Sequence, residues 1–449
     1  MLALSLCSSS LAQQPWTLVG IGDTQVLSQS VAGGQAIESM TQWVVDNQQA
    51  KNIVFVTQLG DIVQDGLYGR TNAQASSVNN VDEWNRVEAA IAHLENASIP
   101  WGTAVGNHEL DWVDVIPGVT PSSNWWSSEN PGVPVPASGF EGWKQRFGPT
   151  TTGRFDDVPQ FGGASPDDVD SYFVYNAGGR DYLHIHLQVD VPDTAISWAQ
   201  GVIDAHAGMP TIVSTHVFEG TIHGPPNHPY LPGSGRNSAN QVWDKLINDN
   251  SQIFLVLNGH TGQQQHRTRT NAAGKSVFTI VQDYAGFDTG GQNSGYMRLY
   301  EFDESNSVLR VKTYSPKLDE YLTTASHQYD LTLDWLTRFD ITLVGDLDFN
   351  TVIDINDWNL FRTGHLTDLS SLTKLQQYSM GDMDGDGDND VSDFALFKTA
   401  YDNANGVGQF EAMVSRVPEP CSSSLLGACS CSSLIVLRGR LGRCRHGRR

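Results

Sequence analysis

The chain has 449 residues, 39% of them hydrophobic, and a formal net charge of −23. Such a length provides for two or three domains, each with a substantial core. Residues 421–449 hold six Arg and no acid, so 21 basic against 50 acidic groups remain before them, a net −29. That surface repels nucleic acid and anionic membranes, favours solubility or divalent cations, and excludes a nucleic-acid scaffold. The five cysteines, at 7, 421, 429, 431 and 444, all lie in terminal segments, which excludes disulfides and thiolate metal sites from the body.

In chain order, the start MLALSLCSSSLAQQ is apolar and ends in Ser10-Leu11-Ala12, with small residues at the −3 and −1 positions of a signal-peptidase site. Residues 1–12 are therefore expected to be an export signal; they are short and lack a basic start, as a truncated signal would. Apolar runs at 17–21, 53–57, 99–105, 211–214 and 253–257 predict buried parallel strands. Between them, 81–95 places Trp84, Val87, Ile91 and Leu94 on one helical face, and 194–206 repeats the pattern. Alternation of strand and helix predicts a layered α/β domain over 13–343. Residues 112–170, rich in Pro, Gly, Trp and Asp, read as long loops. In 277–343, TIVQDY, MRLYEF and LRVKTY read as antiparallel strands. The composition then shifts at Gly345, where two acidic segments recur at a 36-residue period, followed by a polar linker over 405–416 and a basic end.

Each apolar run delivers a polar group at its end. The first gives Asp23, the second Gly60-Asp61, the third Gly106-Asn107-His108-Glu109, the fourth Thr215-His216 and the fifth Asn258-Gly259-His260. Open α/β sheets bind ligands at the carboxyl ends of their strands, so these groups are expected to converge there. Carboxylate, amide oxygen and imidazole together suit a divalent metal such as Mn, Fe, Zn or Mg. A single strand-end Asp is more often a helix cap, and a single buried His more often a core residue. The ordered set of five is what points to chemistry.

Asp23-x-Gln25, Gly60-Asp61, Gly106-Asn107-His108-Glu109, Thr215-His216 and Gly259-His260 resemble the five motifs of the calcineurin-like metallophosphoesterases, over roughly residues 16–325. The resemblance implies a four-layer α/β sandwich holding two metals, bridged by an aspartate and a hydroxide, that hydrolyses phosphate mono- or diesters. It implies that Asp61 bridges the metals and that Asn107, His216 and His260 complete the second site. It further implies that His108 is the histidine beside the scissile phosphate, protonating the leaving oxygen or stabilising charge. The pattern departs from the family at two places. Gln25 and Gly262 stand where histidines are usual, and both changes fall on the first metal, which keeps Asp23, Asp61 and the Gln25 oxygen. Oxygen ligands favour Mg, Mn or Ca over Zn there. Gln25 reads equally as a ligand or as a hydrogen-bonding residue of the turn, and His266 is a remote substitute.

Other groups read as structural. His184 and His186 share one face of a strand, His223 and His228 lie in a Gly/Pro loop, and Trp125-Trp126 in the long insertion reads as packing. Gln282-Asp283-Tyr284 is assigned no chemistry.

Farther on, Asp346, Asp348, Asn350, Asp354 and Asp357 occupy positions 1, 3, 5, 9 and 12 of a loop, and Asp382, Asp384, Asp386, Asp390 and Asp393 repeat that register. Such spacing wraps oxygen ligands around Ca²⁺, with Val352 and Asp388 offering backbone carbonyls at position 7. With the helices that follow, the pair is similar to a type I dockerin domain over 344–404, a small all-α calcium-binding unit. That resemblance implies a cohesin-like partner. Val417-Pro418-Glu419-Pro420, a Ser/Cys/Leu-rich segment and six arginines resemble the PEP-CTERM sorting signal of exported bacterial proteins over 417–449, which implies a sorting machinery at the membrane. The expectation is an exported phosphoesterase, secreted or in the cell envelope, with a calcium-stabilised attachment module. Two readings stay open beside it: a pseudo-enzyme that binds a phosphorylated or polysaccharide ligand, and an assembly protein whose active part is the dockerin-like pair.

Overall fold

A computed structural model of the chain describes residues 15–64, 66, 80–109, 140–178, 180–220, 235–288, 291–339, 344–348, 352–372 and 374–415. The expected export segment and sorting tail, Trp125-Trp126, His223, His228 and Asn350 lie outside the described residues.

The strands are β1 (Trp16–Ile21), β2 (Ile53–Gln58), β3 (Trp101–Thr103), β4 (Phe161–Ala164), β5 (Ser171–Ala177), β6 (Arg180–His186), β7 (Thr211–Ser214), β8 (Ile253–Asn258), β9 (Gln264–Thr270), β10 (Ser276–Gln282), β11 (Met297–Asp303), β12 (Val308–Ser315), β13 (Glu320–Leu322) and β14 (Tyr329–Thr332). They form two mixed sheets. One runs β13-β12-β11-β1-β2-β3, with β14 also on β12; the other runs β4-β5-β6-β7-β8-β10-β9. The five apolar runs are thus divided, with β1, β2 and β3 parallel in the first sheet and β7 and β8 parallel in the second. The segment TIVQDY departs from expectation. Its strand, β10, lies parallel to β8 and antiparallel only to β9, because the polar run Gln264–Thr270 forms the exposed edge of that sheet. Within 112–170, read as loops, the described part carries a helix at Glu141–Phe147 and strand β4, anchored by buried Trp143 and Phe147.

The sheets pack face to face through aromatic side chains. Trp16 of β1 meets Tyr182 of β6 with ring centroids 4.8 Å apart, and Phe55 of β2 stacks on Tyr175 of β5 at 4.9 Å. Burying each ring is worth roughly 1.5–3 kcal/mol. Helices cover the outer faces. Val31–Asn47, capped by Ser30 accepting from the Gly33 amide, buries Ile37, Met40 and Val44. Asn80–Asn96 packs beside it, burying the expected Trp84, Val87, Ile91 and Leu94. Asp193–Ala205 and the π-helical turn Trp243–Ile247 build a separate core on the other sheet. Helix, sheet, sheet and helix succeed one another, a mixed α/β architecture with parallel β1, β2 and β3 at one end of the first sheet and parallel β6, β7, β8 and β10 within the second.

His184 and His186 lie inside the inter-sheet core, fully buried and stacked 4.4 Å apart. Burial holds both imidazoles below the usual histidine range, so they serve as neutral partners of Ser214 and Thr57.

The last unit has its own small core of Leu347, Ile353, Phe361, Phe397 and Phe410. Helices Ile355–Gly364 and Val391–Asn405 each begin with a reciprocal cap, Asp354 with Asp357 and Asp390 with Asp393. Residues 405–416, read as a linker, include a helix at Gln409–Val414. Its Phe410 is buried edge-on to Trp358, which ties the segment to the unit before it.

Candidate active site

Five parallel strands release their chains toward one rim. Asp23 follows β1, Asp61 follows β2, Asn107 and His108 follow β3, His216 follows β7 and His260 follows β8. Two of these residues hold left-handed backbone, Asp61 at φ 51° and His260 at φ 79°. L-residues adopt that conformation at a cost of about 1–3 kcal/mol, a sign of position imposed by function. Gly106 has to be glycine for the same reason of crowding: a Cβ there would lie 2.2 Å from Asp61 Oδ1.

The second site is closely assembled. His216 Nε2 lies 3.1 Å from Asp61 Oδ2, 3.1 Å from Asn107 Oδ1 and 3.0 Å from His260 Nδ1. Ligand atoms of Asp61, His216 and His260 all fall within 4.8 Å of one another. His216 Nδ1 is 2.8 Å from the Leu59 carbonyl, which can only accept, so Nδ1 keeps a proton and Nε2 is the nitrogen that faces the cluster. One nitrogen then faces a carboxylate oxygen, an amide oxygen and a second ring nitrogen, a set of donor atoms that a divalent cation can gather. Burial alone would lower the His216 pKa, but Asp61 beside it pushes it up to about 9. Burial would likewise raise Asp61, yet His216 and His108 hold its carboxyl well below the usual range.

His108 stands at the edge of this cluster. Its Nδ1 is fixed 2.8 Å from the Gln64 carbonyl, and its Nε2 lies 3.9 Å from Asp61 Oδ2. The ring is 18% exposed, the opening a reacting group needs.

The first site is looser and built of oxygen. Asp23 is buried, with Oδ2 accepting from the His260 amide at 2.9 Å. Asp23 Oδ1 and Gln25 Oε1 are both buried without a hydrogen-bond partner. Two orphaned buried acceptors at one rim fit a cation, and the donor set is carboxylate and amide, as a hard divalent ion requires. His266 takes no part, since it stacks on Tyr329 with centroids 3.9 Å apart.

Glu109 had no role assigned from the sequence. Its carboxylate accepts from the amides of Asp61 at 2.9 Å, Ile62 at 2.6 Å, Val63 at 3.3 Å and Gly106 at 2.7 Å, lashing two ligand loops together. Burial, with Asp61 next to it, pushes its pKa up to about 7. The signal was present in the GNHE run, but only the folded loops show four amides converging on it.

In the C-terminal unit, Asp346, Asp348 and Asp357 group within the same span, as do Asp382, Asp384 and Asp393. Asp357 also accepts from the amides of Leu347 and Asp348, and Asp393 from those of Met383 and Asp384. Asp354 and Asp390 are turned to their helix caps. Asp386 joins a further group with Asp393 and the side chain of Asp388, where only a carbonyl was expected of Asp388.

The calcineurin-like phosphoesterase family model matches residues 17–264, more than half of the chain, and the chain belongs to that family. It is 25% identical over 341 residues to the protein YvnB of Bacillus subtilis (strain 168), a match covering 73% of this chain and 22% of YvnB; the chain thus spans less than a quarter of that relative. Among solved structures it is similar to a dimetal phosphatase from Danio rerio, with TM-score 0.41 and 13% identity over 72% of this chain and all of that one. It is also similar to the calcineurin-like phosphoesterase YfkN from Bacillus subtilis, with TM-score 0.33 and 10% identity over 71% of this chain and 88% of that one.

Proposed function

We propose that residues 13–343 hydrolyse phosphate mono- or diesters with divalent metal ions, in an exported protein. The carrying observation is the convergence of Asp61, Asn107, His216 and His260 on one point, beside a half-open His108. Bound cations would supply positive charge for the phosphoryl oxygens and acidify the attacking water. Asn107, His216 and His260 would hold one cation, Asp23 and Gln25 the other, with Asp61 shared. The chain's own part in the reaction falls to His108. With Nδ1–H donating to Gln64, its Nε2 is the nitrogen free to carry a proton to the departing oxygen. Glu109 keeps Asp61 and Asn107 in register while charge shifts. Turnover of an aryl phosphate by metal-stripped protein should return on adding Mn²⁺ and stay absent in Asp61→Asn; equal turnover in that variant would remove the reading.

The acidic unit at 344–404 is proposed to bind Ca²⁺ in two dockerin-like loops and to attach the enzyme to a cohesin-like partner. Its support is the repeated aspartate register with its matching caps. Residues 1–12 and 417–449 are proposed as export and sorting signals, with a cell-envelope or secreted destination. A second reading, a binding protein with one metal, is favoured by the loss of imidazoles at Gln25 and Gly262. Absence of turnover with retained Mn²⁺ binding would select it.

A further inference from the structure

The rim is shared between two sheets. Asp61, Asn107 and His108 follow β2 and β3 of the first, whereas His216 and His260 follow β7 and β8 of the second. The 3.1 Å between Asp61 Oδ2 and His216 Nε2 is therefore set by how one sheet lies on the other. Apolar packing is non-directional and tolerates sliding, but a hydrogen bond fixes both distance and angle.

A buried polar seam crosses the interface beneath the ends of these strands. Thr57 of β2 and Ser214 of β7 meet with their hydroxyl oxygens 2.9 Å apart, Thr57 shortly before Asp61 in the chain and Ser214 shortly before His216. From Ser214 the seam continues to His184 Nε2 at 2.8 Å, and from His184 Nδ1 to the Tyr175 hydroxyl at 3.4 Å. From Thr57 it continues to His186 Nε2 at 3.1 Å. The His186 ring also lies against β3, where a Cβ on Gly102 would come within 2.5 Å of its Cε1. The strands that deliver Asp61, Asn107 and His216 are thus all touched by one network. Thr57, Ser214, His184 and His186 are each fully buried. Run from Tyr175, every link receives one hydrogen with both imidazoles neutral, and the one atom left over is His186 Nδ1. A buried network satisfied to this degree favours a single arrangement of the strands that carry it.

We infer that Thr57 and Ser214 are positioning residues of the rim: their hydroxyl contact holds the two sheets in the register that brings Asp61 and His216 together. The inference rests on the metal-dependent reading of that rim. Thr57→Val removes the hydroxyl and keeps the shape, whereas Thr57→Ser keeps the hydroxyl. Trp16→Phe is the control, because it deletes a buried hydrogen bond, Trp16 Nε1 to Glu304 at 2.9 Å, at the end of β1 away from the rim. Mn²⁺ binding to the metal-stripped full chain is measured by calorimetry, with Ca²⁺ held constant to saturate the C-terminal loops. The tighter Mn²⁺ phase should weaken by about tenfold to a hundredfold in Thr57→Val, as for other residues that orient a metal ligand. It should stay within about threefold of the parent in Thr57→Ser and Trp16→Phe, whatever their melting temperatures. In the metal-free chain, the ring Nδ1 proton that His216 donates to the Leu59 carbonyl should shift its resonance in Thr57→Val and hold it in Trp16→Phe. Parent-like Mn²⁺ affinity in Thr57→Val would overturn the inference and leave the metal reading standing. So would an equal loss in Trp16→Phe, which would mark a general effect of stability. No Mn²⁺ binding by the parent chain beyond the Ca²⁺ loops would overturn both. Should Thr57→Val not fold, Ser214→Ala removes the contact from the other sheet and is judged by the same limits.

Discussion

His216 links metal binding to pH. Its Nε2 must lose a proton before a cation can take the lone pair, and its pKa without metal is pushed up to about 9 by Asp61, against the downward effect of burial. Below that value each bound cation displaces a proton from this group. Affinity at the second site should therefore rise by about tenfold per pH unit as pH increases toward about 9, from this residue alone. Calorimetric Mn²⁺ titrations at several pH values check this, and a flat dependence would show that His216 is neutral without metal. His108 bears on a different step. With Nδ1 engaged by Gln64, it has one nitrogen for the leaving oxygen. His108→Ala should lower kcat by roughly 10²–10⁴ while leaving Mn²⁺ affinity within a few-fold, since a general acid contributes in that range.

At the scale of loops and strands, Glu109 is the positioning residue. An amide in its place would turn an N–H toward one of the four backbone donors it now receives. Glu109→Gln should cost about 1–3 kcal/mol of stability, the usual cost of a buried unsatisfied polar group. It should also weaken Mn²⁺ binding through Asp61, although Glu109 is no ligand itself. Thermal melts with and without metal separate the two effects. The side chains that gather at the rim could be read from the sequence because each follows an apolar run at once, and the carboxyl ends of parallel strands face one rim. The bracing by Glu109 could not be read that way, because it needs the loops after β2 and β3 brought together. The direction of β10 was obscured for a related reason. Its partner β9 is a polar edge strand without the apolar alternation that marks a buried one.

Over the whole molecule, the helix faces and the acidic register were legible because each rests on periodicity along the chain. The pairing of strands into two sheets was not, because strand order depends on long-range closure. The Gln409–Val414 helix was hidden by its length: a six-residue helix holds too few apolar positions to show a period, and Phe410 is its one buried side chain, with Met413 and Val414 packed beside it. In the small unit, Asp357 and Asp393 serve twice, as helix caps and within the acidic groups. Ca²⁺ at a hundredfold excess over its Kd should stabilise this unit by about 2.7 kcal/mol. Asp393→Ala should lose part of that gain and about 1 kcal/mol of capping. Melting of the full chain in Ca²⁺ against a chelator measures both, and a transition indifferent to Ca²⁺ would mean the loops stand without it.

The claim on which the account turns is that the shared rim hydrolyses phosphate esters with metal. The most direct measurement is turnover of an aryl phosphate monoester and diester by the metal-stripped chain titrated with Mn²⁺, with His108→Ala run in parallel. The account expects no turnover without metal, activity that rises as Mn²⁺ fills the sites, and collapse in the variant with its Mn²⁺ binding retained. Full Mn²⁺ occupancy with neither ester hydrolysed, or equal turnover by His108→Ala, would contradict it.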